Sequence, residues 1–211
     1  FREYIAQLIE HDKKFIIIGN QNAFTYKEIF PLLKENKMWT GYKHGDMAFK
    51  VPDWYEARPT RFWIDKDGQK WRSMGNICWF TNLEIKKRYE DLVLTEFYEG
   101  NKDNYQKYDN YDAIEVSAVK DIPMDYKGIM GVPITFVNSH SPDQFEILGM
   151  TDRQNTSGLR TKKYTKEDTP KFNDLNARSA IKLEDGSYKS VYARILIRNK
   201  KPISRREMLG F

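Results

Sequence analysis

The run Phe15-Ile16-Ile17-Ile18 constrains the fold of this chain more than any other feature of the sequence. Four large apolar residues in succession suit a strand that is covered on both faces, which is typical of an interior strand in a parallel sheet. The run ends at Gly19, which Asn20 follows. We therefore predict an α/β fold in which residues 15–18 form an interior parallel strand, bordered by a reversed strand at residues 77–81.

Two helices are predicted around this strand. Apolar residues recur at helical spacing over residues 1–12, which indicates an amphipathic helix. Thr25-Tyr26-Lys27-Glu28 fits a capping box, in which Thr and Glu satisfy free backbone N–H groups, and it predicts a second helix reaching Asn36. Pro31 falls inside this second helix and predicts a kink.

The next segment is rich in short, aromatic stretches separated by glycine. Strands are predicted at residues 38–42, 47–51, 61–65, 69–73 and 77–81. Asp67-Gly68 is typical of a hairpin turn between the third and fourth of these strands. A chain that begins as α/β and continues in hairpins predicts a sheet with a reversed edge strand.

The second half of the chain is less regular. Residues 84–112 are polar and rich in tyrosine, which predicts an extended segment on the surface, and residues 151–179 predict a long loop. Strands are predicted at residues 114–119, 128–137 and 145–148, and a closing hairpin at residues 180–183 and 188–197.

Composition and charge narrow the possible environments and partners. A single cysteine, Cys78, excludes an internal disulfide and favours a reducing compartment, so a cytoplasmic protein is expected. No run approaches the roughly 18 apolar residues that cross a membrane, so no membrane partner is expected. Residues 151–211 carry 15 Lys and Arg against 7 Asp and Glu, which favours a polyanion such as double-stranded DNA as a partner.

Motifs of common enzyme classes are absent, including the P-loop, G-x-S-x-G, G-x-G-x-x-G and C-x-x-C. The three histidines and Cys78 are far apart in sequence, so no metal site is predicted. Pro52-Asp53 followed by Glu84-Ile85-Lys86 has the order of a metal-dependent nuclease, in which carboxylates hold the metal and a lysine assists water. This nuclease stays an alternative, as does a DNA-binding module without catalysis.

Aromatic residues are concentrated between Trp39 and Phe80, a segment that contains all five tryptophans of the chain. Enzymes that modify a base extrude it from the duplex and hold it against aromatic rings. A basic surface beside such a cluster is what a base-modifying enzyme needs.

Ordered stretches of this sequence resemble the EcoRI-type adenine-specific DNA methyltransferases. The resemblance is carried by residues 1–8, 14–20 (Lys-Phe-Ile-Ile-Ile-Gly-Asn), 26–32, 76–83 (Asn-Ile-Cys-Trp-Phe-Thr-Asn-Leu), 107–114, 129–136 and 144–147, and more weakly by residues 192–198. It implies a Rossmann-like fold and transfer of a methyl group from S-adenosylmethionine to the N6 atom of adenine in DNA.

The family's cofactor glycine loop and its Asn-Pro-Pro-Phe motif are absent, and the family pattern places the latter just before Phe1. The resemblance therefore implies a partial Rossmann-like sheet that ends in an antiparallel hairpin at residues 1–95. A mostly β or irregular target-recognition region is expected at residues 96–211. The chain is expected to be inactive alone, to need a missing N-terminal half, and to self-associate or be only marginally stable because its apolar strand has an unpaired edge.

Site residues follow from the resemblance and from position. Trp79 or Phe80 is expected to stack on the flipped adenine, and Asn20, at the carboxyl end of the apolar strand, to lie near the cofactor. Cys78 is expected to be a small buried residue on the cofactor side of its strand. The residues expected to contact DNA are Trp39, Arg153, Arg160, Lys162, Lys163, Arg178, Arg194 and Arg198.

Overall fold

The computed structural model describes residues 1–210, which form a mixed α/β fold of many strands and few, short helices. The helices are α1 (Arg2–Glu10), α2 (Phe30–Lys34), α3 (Phe172–Leu175) and α4 (Arg205–Met208). The strands are β1 (Ile16–Asn20), β2 (Trp39–Lys50), β3 (Phe62–Ile64), β4 (Lys70–Thr81), β5 (Ala113–Glu115), β6 (Ile129–Pro133), β7 (Phe145–Met150), β8 (Ser179–Lys182), β9 (Tyr188–Val191) and β10 (Arg194–Asn199).

The first sheet has the order β1-β4-β2, with β3 paired to the outer part of β4. β1 runs antiparallel to β4, with Ile18 opposite Trp79, so the predicted reversed neighbour is confirmed. Among residues 1–210, β1 is paired on one edge only, which is the unpaired edge expected for this chain, so its interior parallel position in a complete sheet stays a prediction. Ile16 and Ile18 are exposed on the outer face, since no described element covers them there.

Two pairs of predicted strands are single long strands in the structure. The segments at residues 38–42 and 47–51 join in β2, and those at residues 69–73 and 77–81 join in β4. The register between β2 and β4 shifts at two irregular positions, which accommodate the glycines that had suggested breaks. The hairpin turn at Asp67-Gly68 is confirmed, with Gly68 at φ +80° between β3 and β4.

The first predicted helix is confirmed as α1. The predicted capping box is wrong, because residues 21–25 form a 3₁₀ turn and α2 begins only at Phe30. Pro31 explains the late start, since a residue without an N–H group fits the first turn of a helix, where that group would have no partner.

The second sheet has the order β5-β6-β10-β7, and β5–β6 is a parallel pair. The predicted closing hairpin is formed by β8 and β9 alone, because β10 leaves it to pair between β6 and β7. The prediction of a surface segment at residues 84–112 is wrong in its second half. Tyr105, Tyr108 and Tyr111 are buried there, because their rings supply apolar area to the core.

The largest hydrophobic cluster extends from Ile5 to Ile197 and so takes residues from both sides of the boundary predicted at residue 95. Residues 151–178 form a long connection that contains only the short helix α3. Within residues 1–210, no helix has the length and apolar character that crossing a membrane requires.

Candidate functional site

Three asparagines meet where β1 ends. The Oδ1 atom of Asn20 accepts a hydrogen bond of 2.8 Å from the backbone N–H of Asn22. The Nδ2 atom of Asn76 in β4 lies 3.2 Å from Oδ1 of Asn22 and 3.4 Å from Oδ1 of Asn20. We call these three residues the amide cluster; it lies at the carboxyl end of β1, beside the 3₁₀ turn that follows.

The amide cluster contains two residues that the sequence did not single out. Asn22 is the second residue of the 3₁₀ turn that Asn20 caps. Asn76 has a left-handed backbone conformation at φ +55°. Asparagine tolerates this region better than most residues with a side chain. The signal in the sequence was Gly75-Asn76 inside an otherwise apolar strand pattern, which marks an irregular position.

Trp79 shares a face of the sheet with Asn20. Trp79 pairs with Ile18, and side chains two residues apart on a strand point to the same side, so Ile18 and Asn20 lie on the Trp79 face. Trp79 also lines an apolar groove of about 380 Å³ together with Ile16 and Tyr42. The structure therefore brings together two of the predicted site residues on one open surface.

Phe80 points to the opposite face and is fully buried. Its ring centroid lies 5.0 Å from that of Phe1 and 4.8 Å from that of Phe24, so the ring is enclosed by other aromatic rings. Phe80 would have to leave the core to stack on a base. Cys78 lies in the same core, where burial raises the pKa of its thiol to about 12.

Trp39 lies at the start of β2, opposite Thr81 and away from the amide cluster. Its Nε1 donates a 2.9 Å hydrogen bond to the carbonyl of Leu83, and the guanidinium of Arg88 lies 3.8 Å from its ring centroid. Arg88 is buried and donates a 2.8 Å hydrogen bond to Asn36. One face of the Trp39 ring is therefore covered by a cation that belongs to the same chain.

Most of the predicted DNA-contacting cations are held by partners within the protein. Arg194 forms an ion pair with Glu115 at 2.6 Å, and Lys162 forms one with Asp109 at 2.8 Å. The remaining contacts join Arg153 to the Asn173 carbonyl, Arg160 to the Tyr111 hydroxyl and the Asp152 carbonyl, Arg178 to Asp174, and Arg198 to Glu146. Lys163 is exposed and has no polar partner among residues 1–210.

The nuclease alternative requires Asp53 and Glu84 to approach each other. Asp53 lies beside Lys70 at the start of β4, whereas Glu84 follows Thr81 at its end. A strand of this length separates its ends by more than about 30 Å. Among residues 1–210 there is no group of three or more His, Cys, Asp or Glu side chains that could hold a metal ion.

The glycine of β1 packs against aromatic rings. Gly19, at the carboxyl end of β1, is closely packed: a Cβ atom there would lie 2.9 Å from the Phe1 ring and 3.1 Å from the Phe80 ring. All three asparagines of the amide cluster are exposed.

The sequence matches the family described as adenine-specific methyltransferase EcoRI over residues 1–200. The chain belongs to this family of methyltransferases. No solved structure matches the chain significantly.

Three curated relatives agree with this assignment. The chain is 53% identical over 150 residues to the type II methyltransferase M.EcoRI of Escherichia coli, a match that covers 70% of this chain and 46% of that protein. It is 36% identical over 210 residues to M.MgeORF184P of Mycoplasma genitalium, covering 95% of this chain and 62% of the relative. It is 40% identical over 152 residues to M.MpnI of Mycoplasma pneumoniae, covering 70% and 47%. The chain thus spans about half to three fifths of the length of these relatives.

Proposed function

We propose that this chain is the DNA-binding and sheet-completing part of a DNA methyltransferase that uses S-adenosylmethionine and modifies N6 of adenine. The observation that carries the proposal is that exposed Asn20 and half-buried Trp79 lie on one face of the sheet. Membership of the adenine-specific family supports the choice of base. The proposed compartment is the cytoplasm, where Cys78 would stay reduced.

The unpaired edge of β1 is an argument that the enzyme has a second part. β1 is apolar on both sides, yet Ile16 and Ile18 are exposed and only one edge is paired with a described strand. Strands of this composition are normally covered on both faces. We infer that an N-terminal half with the glycine loop and the Asn-Pro-Pro-Phe motif pairs with β1 and completes a Rossmann-like sheet.

The amide cluster and Trp79 have the chemistry to hold a flipped adenine. Asparagine side chains can donate to N7 and accept from the N6 amino group of adenine at the same time. An aromatic ring can stack on the extruded base. In this arrangement Trp79 supports the base, Asn20 and Asn76 orient its edge, and the separate catalytic loop acts on the amino group.

The test is a two-part methylation assay. The chain is co-expressed with a polypeptide that carries the two missing motifs, and transfer of a labelled methyl group to adenine in duplex DNA is measured. Transfer is expected with both parts and not with the chain alone. Turnover by the chain alone would contradict the division of roles, and no adenine methylation by the two parts together would contradict the function.

Asn76 offers a residue-level version of this assay. Asn76→Gly keeps the left-handed backbone while removing the amide, and we expect at least a tenfold loss of methyl transfer by the two-part enzyme. Asp12→Gly is the matched control, because Asp12 also has a positive φ of 48° but lies at the end of α1. Equal activity of the two variants would remove Asn76 from the site.

A DNA-binding module without catalysis is the second candidate. It is favoured by the absence of the family's glycine loop and Asn-Pro-Pro-Phe motif from this sequence. Such a module would bind DNA with strong salt dependence, because bound counterions are released. Its binding would show no response to S-adenosylmethionine even when the second part of the enzyme is present.

A further inference from the structure

Residues 42–76 form an extension of the first sheet that we call the arm. It comprises the outer parts of β2 and β4 together with β3 and the loop between residues 51 and 61. Ser73 is the one buried residue in the arm, and the three hydrophobic clusters of residues 1–210 take no member from it. The arm therefore adds little to the stability of the core.

The arm is held together by its own aromatic residues. Trp63 and Trp71 stack across β3 and β4 with their centroids 6.2 Å apart and their planes 3° apart. Trp71 also donates a 2.8 Å hydrogen bond to Asp65, and this bond lowers the pKa of the Asp65 carboxyl. Tyr55 and Phe62 form a second stacked pair. The arm thus has a defined shape while standing outside the core.

Other rings of the arm face solvent. Trp54 is 79% exposed, and Trp63 keeps one face open beside its stacked partner. A tryptophan exposed to this extent contributes little to folding, since the hydrophobic effect rewards area removed from water. Large exposed apolar rings rimmed by polar residues are typical of a binding surface.

The cations of the arm are mostly free of carboxylate partners. It contains seven Lys and Arg residues against five Asp and Glu. Arg61 pairs with Asp46 at 3.4 Å, and Asp65 is occupied by hydrogen bonds from Trp71 and from backbone N–H groups. Lys43, Arg58 and Lys66 are exposed and make no ion pair with the residues that the structure describes.

The arm begins at the amide cluster. Asn76, at the base of the arm, contacts Asn20 and Asn22, so a duplex whose target base lies at the cluster would pass along the arm. The arm contains nine residues of β2 and seven of β4, which gives a ribbon about 25 Å long. A two-stranded ribbon is narrow enough for the major groove of B-form DNA.

We propose that the arm binds duplex DNA beside the target base, with Arg58 and Lys66 on phosphates and Trp54 against the duplex. The proposal rests on the function proposed above and adds a contact surface to it. An excess of unpaired cations along one ribbon favours a polyanion such as duplex DNA, because phosphates are neutralised by Lys and Arg side chains.

The test measures binding of the full chain to a fluorescent duplex of two helical turns at several salt concentrations. Arg58→Gln together with Lys66→Gln is expected to weaken binding about tenfold. The slope of log affinity against log salt concentration should fall by about two, since each lost phosphate contact removes about 0.9. Trp54→Ala is expected to weaken binding several-fold. All three side chains are exposed, so the variants should melt like the wild type.

The controls remove similar groups outside the arm. Lys13→Gln together with Lys14→Gln makes the same charge change before β1, and Tyr192→Ala removes a ring that is 76% exposed. Both controls should bind like the wild type. Equal loss in the controls, unchanged binding in the arm variants, or no salt-sensitive binding by the wild type would each overturn the proposal.

The two proposals fail in different ways. If the two-part enzyme methylates adenine while the arm variants bind DNA normally, the arm proposal alone is wrong. If the arm variants lose DNA binding but the two-part enzyme transfers no methyl group, the arm stands and the proposed function is wrong.

Discussion

Arg194 and Glu115 form a buried ion pair that spans three strands of the second sheet. Nη2 of Arg194 lies 2.6 Å from Oε1 of Glu115, and Nε lies 3.0 and 3.2 Å from its two oxygens. β6 separates the two strands, and Gly131 of β6, which has no side chain, lies opposite Glu115. The hydroxyl of Tyr108 fills that space and contacts Glu115 as well.

Arg194→Ala should destabilise the protein by about 3 to 5 kcal/mol, because it leaves the charge of Glu115 buried without a partner. Arg198→Ala is the matched control, since its pair with Glu146 is exposed and such pairs contribute about 1 kcal/mol or less. Denaturant unfolding measures both values. Equal and small effects would mean that Arg194 is free for the DNA contact that its position in the basic segment suggested.

Burial of His140 predicts a loss of stability in mild acid. Burial lowers the pKa of His140 to about 4, and its Nε2 lies 3.1 Å from the carbonyl of Phe145, to which it donates in the neutral form. The ordinary value is about 6.5, so between these values the unfolded chain binds more protons than the folded one. His140 therefore does not lower the free energy of unfolding above about pH 6.5, and it lowers this free energy by about 3 kcal/mol as the pH drops to 4.

The measurement compares unfolding free energies at several pH values in wild type and His140→Gln. The variant should lack this part of the pH dependence. His11→Gln is the control, because it makes the same substitution at an exposed position at the end of α1. A His140→Gln profile as steep as that of the wild type would contradict the prediction.

Cys78 should be unreactive in the folded protein. It is fully buried, and burial raises the pKa of its thiol to about 12, so almost no thiolate is available at pH 8. A disulfide reagent should label one thiol rapidly in denaturant and should label the native protein only at the rate of opening. Rapid labelling without denaturant would show that the sheet opens readily at β4.

The open edge of β1 predicts self-association of the isolated chain. Ile16 and Ile18 are exposed beside unpaired backbone groups, which is a pairing hazard for a strand. Ile18→Lys should shift the protein toward monomer in sedimentation, because a lysine on the edge opposes pairing. Val93→Lys is the control, since Val93 is 85% exposed but lies in a loop. A wild-type chain that sediments as a stable monomer would contradict the prediction.

Local signals in the sequence were sufficient for part of the fold. The Asp67-Gly68 turn and the apolar spacing of α1 act over a few residues, and both predictions are confirmed. The capping box predicted at Thr25 was wrong because Pro31, six residues later, determines where helical hydrogen bonding begins. The burial of the tyrosines near residue 108 was not predicted, because their neighbours in sequence are polar and the residues that pack on their rings are distant in sequence.

Some residues of the candidate site could be identified from local sequence features, and others only from strand pairing. Asn20 and Trp79 were identified from sequence, because the end of an apolar strand and an aromatic cluster are local features. Asn76 entered only through the pairing of β1 with β4. The basic residues could not be sorted from sequence, since a cation bound to an internal carboxylate and a free one look alike there.

The sequence by itself determined the family, the apolar strand and its reversed neighbour, because each depends on an ordered pattern of residues along the chain. Only the tertiary structure decided that Arg194 pairs with Glu115 and that the amide cluster opens onto the arm. These features depend on contacts between residues that are distant in sequence, because such contacts set burial, charge pairing and strand order.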